Sequence, residues 1–303
     1  MEFGVYAFKA MGSPCELRLY GENREQILRI AQLAETEVQR LEKKYSRYRS
    51  DSLTSLINQN AGTGVRTKVD DETAILLDYA EVAYQQSNQL FDITSGILRK
   101  AWDFKSGKLP SSDAIKQLMP AVGWGKVEWR RPFFYLALRG MEIDFGGYVK
   151  EYAVDALRTL CQGEGIHHGL IDLGGDIAVL GPHPDGLPWQ VGIRHPLSPD
   201  NAMAIIALTE GALASSGDYE RCMVIDGKKY SHILNPKTGW PVEGLSCVSV
   251  LAEQCLVAGT ATTIAMLKNE NEAAVWLEEL GLPYLTMDKN GNISGNAIKK
   301  LPY

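Results

Sequence analysis

The sequence predicts an α+β protein with mixed or antiparallel sheets and flanking helices, on two observations. Short apolar runs of strand type outnumber helical stretches, and many of them are joined by short turns. No repeat, low-complexity tract or linker divides the chain, so residues 1–303 read as one domain, with room for two lobes around a cleft.

Composition narrows the function. Hydrophobic residues make up 45% and charged residues 22%, ordinary for a globular chain, and the net charge of −6 argues against a general nucleic-acid surface. No apolar stretch reaches the ~18–20 residues of a membrane span, and the first residues lack a signal-peptide pattern, so a cytoplasmic location is expected. The five cysteines have no CxxC spacing and read as reduced, mostly buried thiols. No two of the five histidines have the spacing of a helical zinc site.

Taken in order, strands are expected at 5–10 and 15–20 around Met11-Gly12-Ser13-Pro14. Asn23 caps a long helix with Ile27, Ile30, Ala31, Ala34, Val38, Leu41 and Tyr45 on one face. The segment Tyr45-Ser46-Arg47-Tyr48 reads as a surface loop or an aromatic platform. Asp70 or Asp71 caps a second helix that turns Ile75, Leu76, Tyr79, Val82 and Ala83 inward. It leads to Leu90-Phe91-Asp92-Ile93-Thr94, where Asp92 and Thr94 share a side if the piece is extended. A short helix to residue 119 follows, then strands at 126–129, 133–138 and 141–144. Asp226-Gly227 suits a type I′ hairpin that delivers His232 into the turn Asn235-Pro236-Lys237-Thr238-Gly239. Helices are expected at 254–268 and 272–280, and a last hairpin at 284–294.

The densest signal is residues 143–181. Asp144 closes an apolar run, and Gly146-Gly147 allow a tight turn into a helix. Lys150 lies in the first turn of that helix, where a cation opposes the dipole and an anion would explain it. A strand then runs into a second bare turn, Gly174-Gly175-Asp176. Two glycine turns flanking one helix suit either a phosphate-bearing ligand or tight turns alone. Asp144-Phe145-Gly146 spells a kinase triplet without the other kinase motifs, and no dinucleotide fingerprint, Walker A or GxSxG sequence is present.

These motifs occur together and in order: Met11-Gly12-Ser13; Tyr45 to Tyr48 with Asn58; Phe91 to Thr94; Asp144 to Gly147 with Lys150 and Asp155; Gly174 to Asp176; Ser215 to Tyr219; and His232 to Gly239. The set resembles the FAD:protein FMN transferase family, also called ApbE, over nearly the whole chain. The resemblance implies two lobes around an FAD cleft. It also implies a Mg²⁺-dependent enzyme that cleaves the FAD pyrophosphate and attaches FMN by a phosphoester to a Thr or Ser of an acceptor protein. Its alternatives are FAD hydrolysis to FMN and AMP, or FAD binding without transfer. It further implies that Met11, Tyr48, Leu90, Phe91, Asp92, Asp144, Lys150 and His232 contact FAD, with Lys150 and His232 catalytic. The metal would take the Gly147 carbonyl and Thr263.

Two departures from the family pattern stand out. The metal-binding Asp expected on the helix 254–268 is Gly259, and Thr262 replaces an Asp found in some relatives. Glu151 follows the lysine where the family usually has glycine. Asp218 and Glu253 are the acidic residues considered as substitutes for the missing carboxylate.

Overall fold

The structure, a computed structural model, describes residues 1–196, 198–219 and 221–297, without the side chains of residues 199 and 200. Its centre is an eight-stranded sheet. The strands are β1 (Glu2–Ala10), β2 (Ser13–Gly21), β6 (His168–Leu173), β7 (Asp176–Gly181), β10 (Ala212–Gly217), β13 (Cys247–Ala252), β14 (Tyr284–Met287) and β15 (Ile293–Ser294), in that spatial order. Each described neighbour pair in it is antiparallel.

Alternation along the strands assigns each side chain to a face. Leu17 and Leu19 of β2, Ile171 of β6, Ala178 of β7, Ala214 of β10 and Val248 and Val250 of β13 enter the larger core. Their neighbours Leu170, Ile177, Val179 and Leu213 point the other way, into a second core. Three helices cover the first face: α1 (Arg24–Tyr45), α5 (Val149–Gly163) and α6 (Cys255–Leu267). The second face is closed by the hairpin β8 (Trp189–His195) and β9 (Ser198–Leu208), through Trp189, Val191, Ile193, Ile206 and Leu208. Both strands of that hairpin are visible in the sequence. That they form a separate layer rather than joining the sheet is a tertiary outcome.

The capping chemistry read from the sequence holds. Asn23 caps α1 by accepting from Gln26 N at 2.9 Å, and all seven expected residues of its face are buried. Asp70 caps α3 (Asp71–Gln86), accepting from Thr73 N at 3.0 Å. The inward face of α3 differs from expectation: Ile75 and Val82 are exposed, and Thr73, Ala74, Leu76, Leu77, Ala80 and Ala83 are buried. Small residues line the buried stripe because neighbouring elements pack close, so hydrophobicity alone misplaced the face.

A smaller assembly sits at one end. It comprises a 3₁₀ helix (Ile93–Lys100), α4 (Ser112–Leu118) and the hairpin β11 (Cys222–Ile225) with β12 (Lys228–Ser231). Its own apolar clusters are Ile97, Leu98 and Val122, and Trp102, Ile115 and Met223. Asp226 and Gly227 both have positive φ, as the predicted type I′ turn requires. The turn ending at Gly239 docks on this assembly: Trp102 Nε1 donates to Gly239 O at 2.8 Å, and a Cβ at Gly239 would lie 2.4 Å from Ile115 Cγ2. The elements α2 (Leu53–Gln59) and a three-stranded sheet of β3 (Thr67–Lys68), β5 (Phe133–Leu136) and β4 (Val127–Arg130) add Ile57, Phe134 and Leu136 to the larger core.

Residues 141–144 are extended but join no sheet, contrary to the expected strand. A side chain replaces the missing neighbour strand. Asn58 Oδ1 accepts from Ile143 N at 2.7 Å and Asn58 Nδ2 donates to Ile143 O at 3.1 Å, while Asp144 N donates to Ile93 O at 2.9 Å. Ile143 is buried, so its peptide groups need these partners. No helix among the described residues is long and apolar enough to cross a membrane.

Candidate active site

Two tight turns and the start of α5 meet at one end of the central sheet. The β1–β2 loop is Met11-Gly12 and the β6–β7 loop is Gly174-Gly175; all four residues have positive φ, the form that closes a two-residue hairpin. Glycine accepts this freely, but Met11 is held there at a cost of ~1 kcal/mol or more. The loops touch: a Cβ on Gly174 would lie 2.6 Å from Ser13 Cβ. Lys150 Nζ lies beneath them, 2.7 Å from Asp176 Oδ2 and 3.4 Å from Gly174 O. The lysine that looked misplaced in its helix therefore has an internal anion in the buried Asp176. The N-cap position of α5, Tyr148, makes no side-chain cap, so the positive end of the helix faces the same region.

The turn into α5 behaves differently from its sequence reading. Neither Gly146 nor Gly147 has positive φ, and a Cβ on Gly147 would meet nothing within 4 Å. Backbone strain does not demand glycine at 147; the position is exposed and opens onto free space. Asp144 accepts from Gly146 N at 2.9 Å and forms an ion pair with Arg47. Arg47 also donates to Tyr48 OH at 2.9 Å and lies over its ring, while Tyr48 itself is 76% exposed. Arg47, inside the Tyr45 to Tyr48 motif, links Tyr48 to Asp144.

Leu90 and Phe91 are buried, and Phe91 lies edge-on to Tyr148. Asp92 starts the 3₁₀ helix instead of continuing a strand. Its Oδ1 accepts from Thr94 N at 2.8 Å and Thr94 Oγ1 at 2.6 Å, and its Oδ2 accepts from Trp124 N at 3.1 Å. Burial pushes its pKa up, and these hydrogen bonds pull it back. Asn88 and Gln89 just before have φ of 54° and 68°. These strained residues, with Tyr84, Gln85 and Lys237, border a groove of about 420 Å³. His232 directly follows β12, partly exposed, with Nδ1 3.1 Å from Arg221 O.

Helices α5 and α6 are antiparallel and locked by Asp155. Its two oxygens accept from Cys255 N and Leu256 N, each at 2.9 Å, capping α6 from outside because its own N-cap Gln254 makes no side-chain cap. One turn back along α5, and one turn on along α6, Glu151 meets Gly259. A Cβ on Gly259 would lie 2.5 Å from Glu151 Cγ and 2.8 Å from Oε1. Burial, and then the nearby Asp176 charge, raises the Glu151 carboxyl to about 8. One turn further along α6 lies Thr263, and Gly147 lies four residues before Glu151, in the turn ahead of α5.

Of the two proposed substitutes for the missing Asp, Asp218 has its carboxylate committed to other groups. Asp218 is buried between Lys229 and Lys289, and Glu253 is exposed, with its backbone oxygen taken by Arg158 Nη1 at 2.7 Å. Thr262 Oγ1 donates to Gly259 O at 2.8 Å and lies 2.8 Å from Ser216 Oγ. No group of three or more His, Cys, Asp or Glu side chains converges as a metal site among the described residues.

This antiparallel sheet with helices on one face and a hairpin layer on the other is the architecture of the ApbE flavin transferases. The structure matches the ApbE protein of Thermotoga maritima with a TM-score of 0.90 at 26% identity, covering 99% of this chain and 98% of that one. It matches the flavin transferase ApbE of Vibrio cholerae with a TM-score of 0.87 at 22% identity, over 97% and 96% of the two chains. The sequence model of the ApbE family matches residues 11–286, and the chain belongs to that family. It is similar to the FAD:protein FMN transferase of Chlamydia pneumoniae, 31% identical over 78% of this chain and 75% of the relative. The enzyme of that name in Escherichia coli K12 is 25% identical over 96% of this chain and 86% of its own length.

Proposed function

We propose that residues 1–303 form one catalytic domain, an FAD:protein FMN transferase. The hydroxyl of a Thr or Ser on an acceptor protein attacks the FMN phosphorus of FAD, the pyrophosphate P–O bond breaks, and AMP leaves. The observation that carries the reading, beyond family membership, is the meeting of Lys150, the uncapped start of α5 and the bare Gly174-Gly175 turn. Pyrophosphate transfer depends chiefly on charge neutralisation and in-line positioning, which a fixed lysine and a helix N-terminus provide.

In this reading Lys150 binds a phosphate and stabilises the charge that moves onto AMP. The Asp176 contact holds its ammonium at the turn. His232 takes the acceptor proton or donates to a phosphate oxygen. Asp144 and Tyr48, tied through Arg47, contact the nucleotide with Met11. Leu90 and Phe91 shape the pocket from within the core, and Asp92 holds that segment to Trp124. Mg²⁺ would sit at the Gly147 carbonyl and Thr263 with the FAD phosphates, and supplies charge neutralisation when bound. Five unpaired cysteines, four of them buried, suit a cytoplasmic protein.

The test incubates the protein with FAD, Mg²⁺ and an acceptor domain carrying an exposed threonine, and reads intact mass and released AMP. A mass gain of one FMN moiety with stoichiometric AMP is the expected result. FMN and AMP without a mass gain would make the protein an FAD pyrophosphatase. FAD binding without either product would make it a binding protein.

A further inference from the structure

Glu151 and Gly259 depend on each other. Any side chain at 259 would drive its Cβ to 2.5 Å from Glu151 Cγ, so the glycine on α6 is what admits the glutamate from α5. In the family pattern the small residue and the acid are the other way round. The two departures, separate in the sequence, are one exchange in space.

One oxygen of the exchanged carboxylate has no hydrogen-bond partner among the described residues. Glu151 is only 9% exposed, and its Oε2 is buried without a hydrogen-bond partner. A buried carboxylate oxygen with no partner is costly, and a glutamine or an apolar side chain of similar size would fill the same space without that cost. Oxygen donors of the kind a hard cation takes stand at nearby positions of the same two segments: Gly147, four residues before Glu151, offers its carbonyl in the exposed turn ahead of α5, and Thr263 lies one turn beyond Gly259 in α6. Lys150, adjacent in sequence, is directed to Asp176 and the Gly174 carbonyl.

We propose that Glu151 supplies, from α5, the single carboxylate of a divalent-cation site shared with the Gly147 carbonyl and Thr263, replacing an acid that relatives carry on α6. The inference rests on the transferase reading for the identity of the cation, Mg²⁺, but concerns only which residue holds it. Mg²⁺ needs no more than one or two carboxylates when phosphates and water complete its shell. The loss of the α6 acid is therefore compensated rather than disabling.

The test is Mn²⁺ binding by the intact protein, read from the loss of the free-ion EPR signal, with Mg²⁺ as competitor, both with and without FAD. The proteins are wild type, Glu151→Gln, Glu151→Gly, and the double variant Glu151→Gly with Gly259→Asp. Circular dichroism melts check that each is folded. The expected result is Mn²⁺ affinity at least about tenfold weaker for both single variants, and recovery to near the wild-type value in the double variant. Unchanged affinity in Glu151→Gln, or a double variant that binds no better than Glu151→Gly, would overturn the proposal and leave Glu151 a buried neutral acid. Flavin fluorescence in metal-free buffer reads FAD binding separately. A wild-type protein that fails to bind FAD counts against the transferase reading, while the metal-only titration still decides the role of Glu151.

Discussion

Replacing Asp155 by Asn tests whether α5 and α6 are held in register by one side chain. Both carboxylate oxygens accept backbone N–H groups at the start of α6, and no other side chain caps that end. Asparagine keeps one acceptor but turns an NH₂ toward the second N–H. One charge-assisted bond is lost and one amide left facing a donor, together worth about 2–3 kcal/mol. For a chain of this size that lowers Tm by roughly 4–12 °C, taking about 2–4 °C per kcal/mol. The same change loosens the alignment that brings Glu151 to Gly259, so Mn²⁺ affinity falls with it. The assays are a thermal melt by far-UV circular dichroism and the EPR titration on the same samples. A variant with unchanged Tm and unchanged Mn²⁺ affinity would refute the argument that this cap sets the helix register.

Two further outcomes follow from other contacts. Asn58→Ala strips the partners from both the N–H and the C=O of buried Ile143 and is expected to cost about 2–4 kcal/mol by urea unfolding. Glu72 accepts from Arg40 at 2.6 Å and Lys44 at 2.7 Å. Burial pushes its carboxyl up, but these two cations outweigh that and hold it at about 2, below the ordinary 4.5. The unfolded chain then takes up the extra proton first, so this contribution is present at neutral pH and is lost as pH falls from about 5 toward 2. After allowance for solvent screening it is worth about 1–2 kcal/mol, so the stability gap between wild type and Glu72→Gln should narrow as pH falls below about 5 and close only as it approaches 2; a constant gap would contradict the assignment.

Much of the fold was legible because its causes are local. The seven buried positions of α1 repeat at helical spacing, Asn23 and Asp70 are side chains that cap by reaching three residues ahead, and Asp226-Gly227 carries its turn in its own backbone preferences. The failures are instructive for the same reason. Residues 141–144 look like a strand, but a strand is defined by its neighbour, and here the neighbour is the Asn58 side chain. Ile75 and Val82 look buried, but packing selected the small-residue stripe of α3. In the sequence Lys150 reads as a lysine seeking an anion, and the structure sets Asp176 beside it, a neighbour only because β7 folds next to α5.

The candidate site divides along the same line. By itself the sequence determined the residue types and their order: two bare turns, a lysine at a helix start, a glycine where an acid is expected and a glutamate where a glycine is expected. Only the tertiary structure decided that the last two face each other, that Asp218 is committed to Lys229 and Lys289, and that Arg47 ties Tyr48 to Asp144. The physical reason is range. Turns and caps are set within a few residues, whereas the partner of a buried charge is set by how distant helices pack.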